Sequence, residues 1–155
     1  MSDTRVDFFR WLEGKAEDDK DIILLVGDLG YSFVENFQKR FPEQFINCGI
    51  AEQNMVGVAA GLARVGKKPF IYSGAVFLLT RALEQLRDDV FIPQLHNVTV
   101  VCTGASEFLG STHNFEKKES ISHYISPFKV DYIDSVLLYS EMNFLDRKFP
   151  RVIGL

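Results

Sequence analysis

Cysteine is scarce in this sequence. Cys48 and Cys102 are the only two among 155 residues, and they form no CxxC pair. Such a count leaves no disulfide framework and no paired-thiol motif for zinc or redox chemistry, so both side chains, set in apolar surroundings, are expected to be buried free thiols. Positive charge is also short: 17 Lys and Arg stand against 21 Asp and Glu, for a formal charge of -4 and a pI near 5.4. A chain without an overall basic field is poorly made for gripping a phosphate backbone, which excludes nucleic acid as the expected partner. No apolar run approaches the roughly 18 residues that a membrane span needs. The opening residues, MSDTRVDFFRW, carry charge from the third position onward, unlike a targeting leader. No membrane partner and a cytoplasmic location follow as expectations.

What the sequence does have is ordinary globular composition, 46% hydrophobic and 25% charged, in a length that predicts one domain over residues 1–155. A domain near that size buries roughly 68–70% of its unfolded surface, enough for one sizeable core. Apolar runs alternate with helical patterns. Asp3 to Glu17 spaces Val6, Phe8, Phe9, Leu12 and Ala16 along one face of a helix opened by Asp3 or Thr4. The run DIILLVGD, Asp21 to Asp28, reads as a strand buried on both faces, as a parallel sheet requires. Ser32 is expected to cap a helix that reaches about Arg40 and stops before Pro42. Further strands are expected at 44–47, 68–73, 97–103, 130–133 and 151–153, with helices at 51–65, 78–90, 120–125 and 137–147 and a loop over 104–119. No repeat or long linker interrupts the alternation. It predicts an α/β three-layer sandwich, a mostly parallel central sheet with helices on both faces.

In open sheets of this kind, ligands sit beyond the carboxyl ends of the strands, near a topological switch point. The candidate positions are therefore Asp28 to Tyr31, Cys48 to Glu52, Ser73 to Phe77, and the loop from Gly104 to His113. Glu52 opens the helix within NCGIAEQNMVGVAAGLARVG, Asn47 to Gly66. An acidic residue in a first helical turn is ordinarily a partner for the helix macrodipole, at about 0.3–1 kcal/mol. Here Gly57, Ala59, Ala60, Gly61 and Ala63 give the same helix a small-residue surface suited to close packing, and glycine inside a helix is costly. A carboxylate beside a packed surface needs a group with which to share a proton, which makes Glu52 a candidate acid or base.

The segment FINCGIAEQNMVGVAAGLARVGKKPFIYS resembles the signature of the pyrimidine-binding domain of transketolase-type thiamine diphosphate enzymes, a group that includes the small subunits of split transketolases. GDLG at Gly27 to Gly30, RFPEQFIN at Arg40 to Asn47 and FLLTRALEQLRDDV at Phe77 to Val90 extend the likeness, which weakens toward His113. The resemblance implies that Glu52 contacts the ring nitrogen of the cofactor's aminopyrimidine and activates the cofactor by sharing a proton there. It implies that Phe77 stacks on the pyrimidine face and that Asp28 points toward the cofactor cleft, with an N-cap as the rival role for Asp28. Arg81 is implied to lie near the polar end of the substrate. His113, in GSTH, resembles a histidine that faces substrate, although Phe108 to Ser111 depart from the family's pattern just upstream.

The same resemblance implies a subunit that transfers a two-carbon ketol unit between sugar phosphates and is active only with a partner. The alternatives are a subunit of a 2-oxo acid decarboxylase or a non-catalytic scaffold. The family anchors its diphosphate through Mg2+ with a GDG motif and a later Asn. Here Leu29 replaces the second glycine, and Asn54 lies on the helix that already carries Glu52. Thiamine diphosphate is the expected cofactor, then, with Mg2+ ligands supplied by a diphosphate-binding partner subunit in a homo- or hetero-oligomer. The diphosphate-binding and C-terminal domains are expected to be absent from this chain.

Overall fold

The computed structural model describes residues 3–104, 112–113, 121–134 and 149–155. Helix α1, Thr4–Asp18, is capped by Asp3, whose carboxylate accepts the backbone N–H of Arg5 at 3.0 Å, satisfying one of the orphan donors of a helix start. Strand β1, Ile22–Val26, is buried along its whole length. The short α2, Glu35–Arg40, and a 3-10 turn, Pro42–Gln44, lead to β2, Phe45–Asn47. Helix α3, Glu52–Arg64, then crosses to β3, Lys68–Gly74. A helical stretch follows in three pieces, Phe77–Arg81, α4 at Leu83–Gln85, and Leu86–Phe91. The remaining elements are β4, Thr99–Thr103, α5, Ile121–Ile125, β5, Asp131–Asp134, and β6, Arg151–Gly154.

Among the described residues, six strands form one sheet in the order β2-β1-β3-β4-β6-β5, with every pairing parallel. Side chains alternate between its faces, and each face has its own core. Ile23, Leu25, Ile71, Val100, Cys102 and Val152 pack with Met55, Val56, Ala59 and Ala60 of α3 and with Leu79, Leu86 and Val90 of the 77–91 stretch. Ile22, Leu24, Val26, Phe70, Val101 and Ile153 face the other way, onto Phe8, Phe9 and Leu12 of α1 and Phe37 of α2. This period-2 division explains why β1, β3 and β4 read as continuous apolar runs: neither of their faces meets water, whereas the edge strand β2 is largely exposed. The fold is the expected α/β three-layer sandwich.

Two expectations are corrected. Ser32 does not cap α2; its backbone sits at φ 71, in the left-handed region, whereas an N-cap residue needs an extended backbone. The bond runs in reverse, from the Ser32 N–H to the Glu35 carboxylate at 2.8 Å. The single helix expected over 78–90 is interrupted by π turns, each adding a residue to the helical register. The helix expected over 137–147 and most of the 104–119 loop lie outside the described residues.

After β1 the chain crosses to β2 on one side, and after β2 it returns through α3 to β3 on the other. The carboxyl ends of β1 and β3 therefore flank a crevice at the switch point. Gly30 shapes the loop above β1. Its φ is +98, and a Cβ there would lie 2.8 Å from Val34 Cγ1 and 3.0 Å from Tyr72 Cε1. Gly30→Ala is expected to cost about 1–3 kcal/mol, from left-handed strain plus crowding against Tyr72. A urea midpoint equal to that of the parent protein would contradict this placement.

Candidate active site

The turn that delivers Glu52 is built from Asn47 onward. The Cys48 N–H donates to the Val26 carbonyl at 2.9 Å, continuing the β1–β2 pairing. Asn47 Oδ1 accepts the Gly49 N–H at 2.9 Å, and Ala51 N–H donates to the Gly49 carbonyl at 2.8 Å. Helix α3 starts at Glu52 without a side-chain cap. The Glu52 side chain turns inward over the β1–β3 crevice and is only 1% exposed.

Three neighbours define its environment. Gly27, just past β1, has no side chain to intrude: a Cβ there would lie 3.2 Å from Ser73 Oγ and 3.7 Å from Glu52 Oε1. Ser73, in β3, donates its hydroxyl to Glu52 Oε1 at 3.4 Å. Arg81 donates from Nη1 to Glu52 Oε2 at 2.7 Å. A buried carboxylate is tolerated only when paired and hydrogen-bonded, and these two side chains supply both. The Arg81 side chain is 45% exposed, so water screens its side of the pair.

The π turn fixes how Arg81 reaches this point. Ala82 N–H donates to the Phe77 carbonyl at 3.2 Å, five residues back. The Arg81 guanidinium then lies 4.6 Å from the centroid of the Phe77 ring, a cation–π distance. On another side, the His113 ring meets Phe77 edge-on at 5.3 Å with an interplanar angle of 79°. His113 Nδ1 shares a 2.8 Å hydrogen bond with Thr112 Oγ1. Glu52, Arg81, Phe77 and His113 thus form one connected chain of contacts.

Asp28 stands apart from that chain. It is exposed, its backbone is left-handed at φ 54, and its carboxylate accepts from Asn47 Nδ2 at 3.0 Å. The small residues of α3 also divide. Ala59, Ala60 and Ala63 are buried against the sheet, while Gly57 and Gly61 are exposed with nothing within 4 Å of a Cβ position. Ser73, at the head of the candidate stretch Ser73 to Phe77, and Gly27, in GDLG, are neighbours of the carboxylate whose contact with Glu52 sequence reasoning did not foresee. The signal for Ser73 is a hydroxyl closing an otherwise apolar strand, beside the switch point.

Among the described residues, no group of three or more His, Cys, Asp or Glu is placed to hold a metal ion, and no helix is long and apolar enough to cross a membrane. The two thiols are poor nucleophiles. Cys102 is buried as expected, but Cys48 is only half-buried; partial burial pushes Cys48 up from its ordinary value, and complete burial pushes Cys102 up to about 12, so neither is a thiolate near neutrality.

A parallel α/β domain that buries a paired carboxylate at its switch point belongs to the class of ligand-binding domains whose sites lie at the carboxyl edge of the sheet. Within that class the family is shown by comparison: residues 2–132 match the transketolase pyrimidine binding domain, and the chain belongs to that family. It is 42% identical over 103 residues to an apulose-4-phosphate transketolase subunit of Phocaeicola vulgatus, covering 64% of this chain and 33% of that protein. It is 35% identical to the 6-deoxy-6-sulfo-D-fructose transketolase subunit SqwH of Clostridium sp. strain MSTE9, covering 99% of this chain and 46% of that protein. A solved structure described as a split gene transketolase, inactive beta4 tetramer, superposes with a TM-score of 0.79 at 30% identity, covering 98% of this chain and 50% of that one. The chain thus spans between a third and a half of the length of these relatives. Thiamine diphosphate is the cofactor that membership of this family implies.

Iodoacetamide at pH 8 is expected to modify Cys48 slowly in the native protein and Cys102 only after unfolding. Equal native labelling of both, read by mass spectrometry, would contradict the burial of Cys102.

Proposed function

We propose that this chain is the pyrimidine-binding part of a thiamine diphosphate-dependent transketolase-type enzyme, which moves a two-carbon ketol unit between sugar phosphates, and that Glu52 activates the cofactor. The observation that supports this most is the buried carboxylate of Glu52, 1% exposed and placed at the switch point near the Phe77 ring. The residues fit the aminopyrimidine portion of the cofactor. Glu52 offers a carboxylate oxygen to a ring nitrogen, Phe77 offers an aromatic face, and Gly27 leaves the strand end beside the carboxylate without a side chain.

When bound, thiamine diphosphate supplies an electron sink for carbon–carbon cleavage beside a carbonyl. The rest falls to the protein. Glu52 holds or shares a proton at its carboxylate, and the dry surroundings strengthen that contact relative to water. Ser73 keeps Oε1 oriented, and Phe77 fixes the plane of the ring through stacking. Arg81 and His113, both exposed, sit at the mouth, where a cation and an imidazole suit a phosphorylated or polyhydroxylated substrate. Asp28 contributes to the rim.

The diphosphate and its Mg2+ are assigned to a partner subunit, in a homo- or hetero-oligomer. Support comes from the exposed apolar side chains on the loops that flank the crevice: Ile50 is 75% exposed and Tyr31 77%. Large apolar groups in that position are suited to burial against another protein surface. The relatives described as a transketolase subunit and as a split gene transketolase point in the same direction.

The test is to co-purify the full-length protein with a diphosphate-binding subunit and assay ketol transfer from a ketose phosphate to an aldose, with a 2-oxo acid as the competing donor. Glu52→Gln is expected to lower kcat by about 10²–10⁴-fold, the usual contribution of a positioned acid–base group. Phe77→Ala is expected to weaken cofactor binding by about 10-fold or more, from the stacking and burial it removes. Full activity in Glu52→Gln would refute the assignment. Turnover of only the 2-oxo acid would make the protein a decarboxylase subunit, and failure to bind cofactor with any partner would make it a scaffold.

A further inference from the structure

We infer that Arg81 is a built-in stand-in for the aminopyrimidine ring: in the free chain its guanidinium fills the seat between Glu52 and Phe77, and it leaves when a ring enters. The inference rests on the cofactor reading above and adds a competition within the site. Both contacts assigned to the ring are already made by one side chain. Arg81 Nη1 is 2.7 Å from Glu52 Oε2, and the guanidinium carbon is 4.6 Å from the Phe77 ring centroid.

The chemistry of the two groups matches. A guanidinium is planar, donates N–H groups to a carboxylate and stacks on aromatic faces. An aminopyrimidine carrying a proton on its ring nitrogen presents the same plane, the same N–H and the same stacking surface. The backbone also supports a purpose-built placement. The π turn from Phe77 to Ala82 inserts one residue ahead of Arg81, and such turns inside helices often mark functional positions.

The two partners differ in freedom to move. Glu52 is enclosed and held by Ser73, whereas 45% of the Arg81 side chain is open to water. The carboxylate therefore stays and the guanidinium swings outward. Until then, Arg81 keeps Glu52 from being an unpaired buried charge, the costliest state available to it. It competes with the ring at the effective concentration of a tethered group, in the millimolar range for a short flexible link. Once displaced, the guanidinium is free at the mouth of the site for an anionic substrate, which makes cofactor binding precede substrate binding.

Calorimetric titration of thiamine diphosphate with Mg2+ into the full-length protein and its partner tests the competition. Arg81→Leu is expected to bind the cofactor about 10-fold more tightly than the parent, because the tethered competitor is gone. Arg81→Lys keeps the charge but loses the flat face and is expected to fall between the two. A purely structural or substrate-binding arginine predicts unchanged or weaker cofactor binding in Arg81→Leu, and that result overturns the inference. If binding is unchanged in Arg81→Leu yet weakened in Glu52→Gln, the cofactor reading survives and only the stand-in role falls. If Glu52→Gln binds like the parent, both fall.

A second measurement needs no cofactor. In the free protein, Arg81→Leu is expected to lower the thermal midpoint by about 5 °C, and combining it with Glu52→Gln is expected to restore most of that loss. Equal losses from Arg81→Leu in the two backgrounds would show that Arg81 does not hold Glu52 in the free state.

Discussion

A carboxylate sealed from water has to be answered by a donor, and around Glu52 the surrounding structure is arranged to provide one. The strand crossovers diverge at β1 and β3, leaving a crevice. Gly27 keeps the floor of that crevice clear, Ser73 reaches one carboxylate oxygen, and Arg81 reaches the other. Removing one partner from such a pair leaves a buried charge whose cost exceeds the net worth of the pair itself. The local architecture is therefore better understood as holding an anion ready than as gaining stability from an ion pair.

How α3 brings its first residue so deep into the sheet is a packing matter. Met55, Val56, Ala59, Ala60 and Ala63 all face the core that holds Ile23, Leu25 and Ile71. With alanines at three of those five positions, the helix axis approaches the sheet closely, and its amino end carries Glu52 within reach of Ser73. Bulkier side chains at 59, 60 and 63 would lift the helix and separate the carboxylate from the hydroxyl. The geometry of the site and the packing of the core are in this way set by the same few small residues.

Much of this was legible in the sequence, for reasons that differ by element. IILLV reads as a doubly buried strand because nothing polar interrupts it, and β1 is buried throughout. Glu52 stood out as a charge opening an apolar helix at a strand's carboxyl end. Phe77 and His113 were brought forward by family likeness, and their rings do meet. The partner of Glu52 was not legible: Arg81 lies 29 positions along the chain, and its aim depends on a π turn that an apolar pattern of Leu79, Ala82, Leu83 and Leu86 cannot distinguish from an ordinary helix. Ser32 misled because serine favours caps on average, while the backbone after Gly30 adopts a left-handed conformation there. Ser73 fell within the candidate stretch Ser73 to Phe77 but was given no role toward Glu52, because one hydroxyl near the end of an apolar strand looks like any strand terminus.

Among the described residues, the outermost strands of the sheet are its shortest or nearly so: β2 has three residues and β5 four. A strand of three or four residues has too little backbone to template a further strand from a neighbouring molecule. Lateral growth of the sheet at β2 and β5, the route to fibrils and domain-exchanged dimers, is discouraged by this brevity, which favours side-chain surfaces over these backbone edges for meeting other polypeptides.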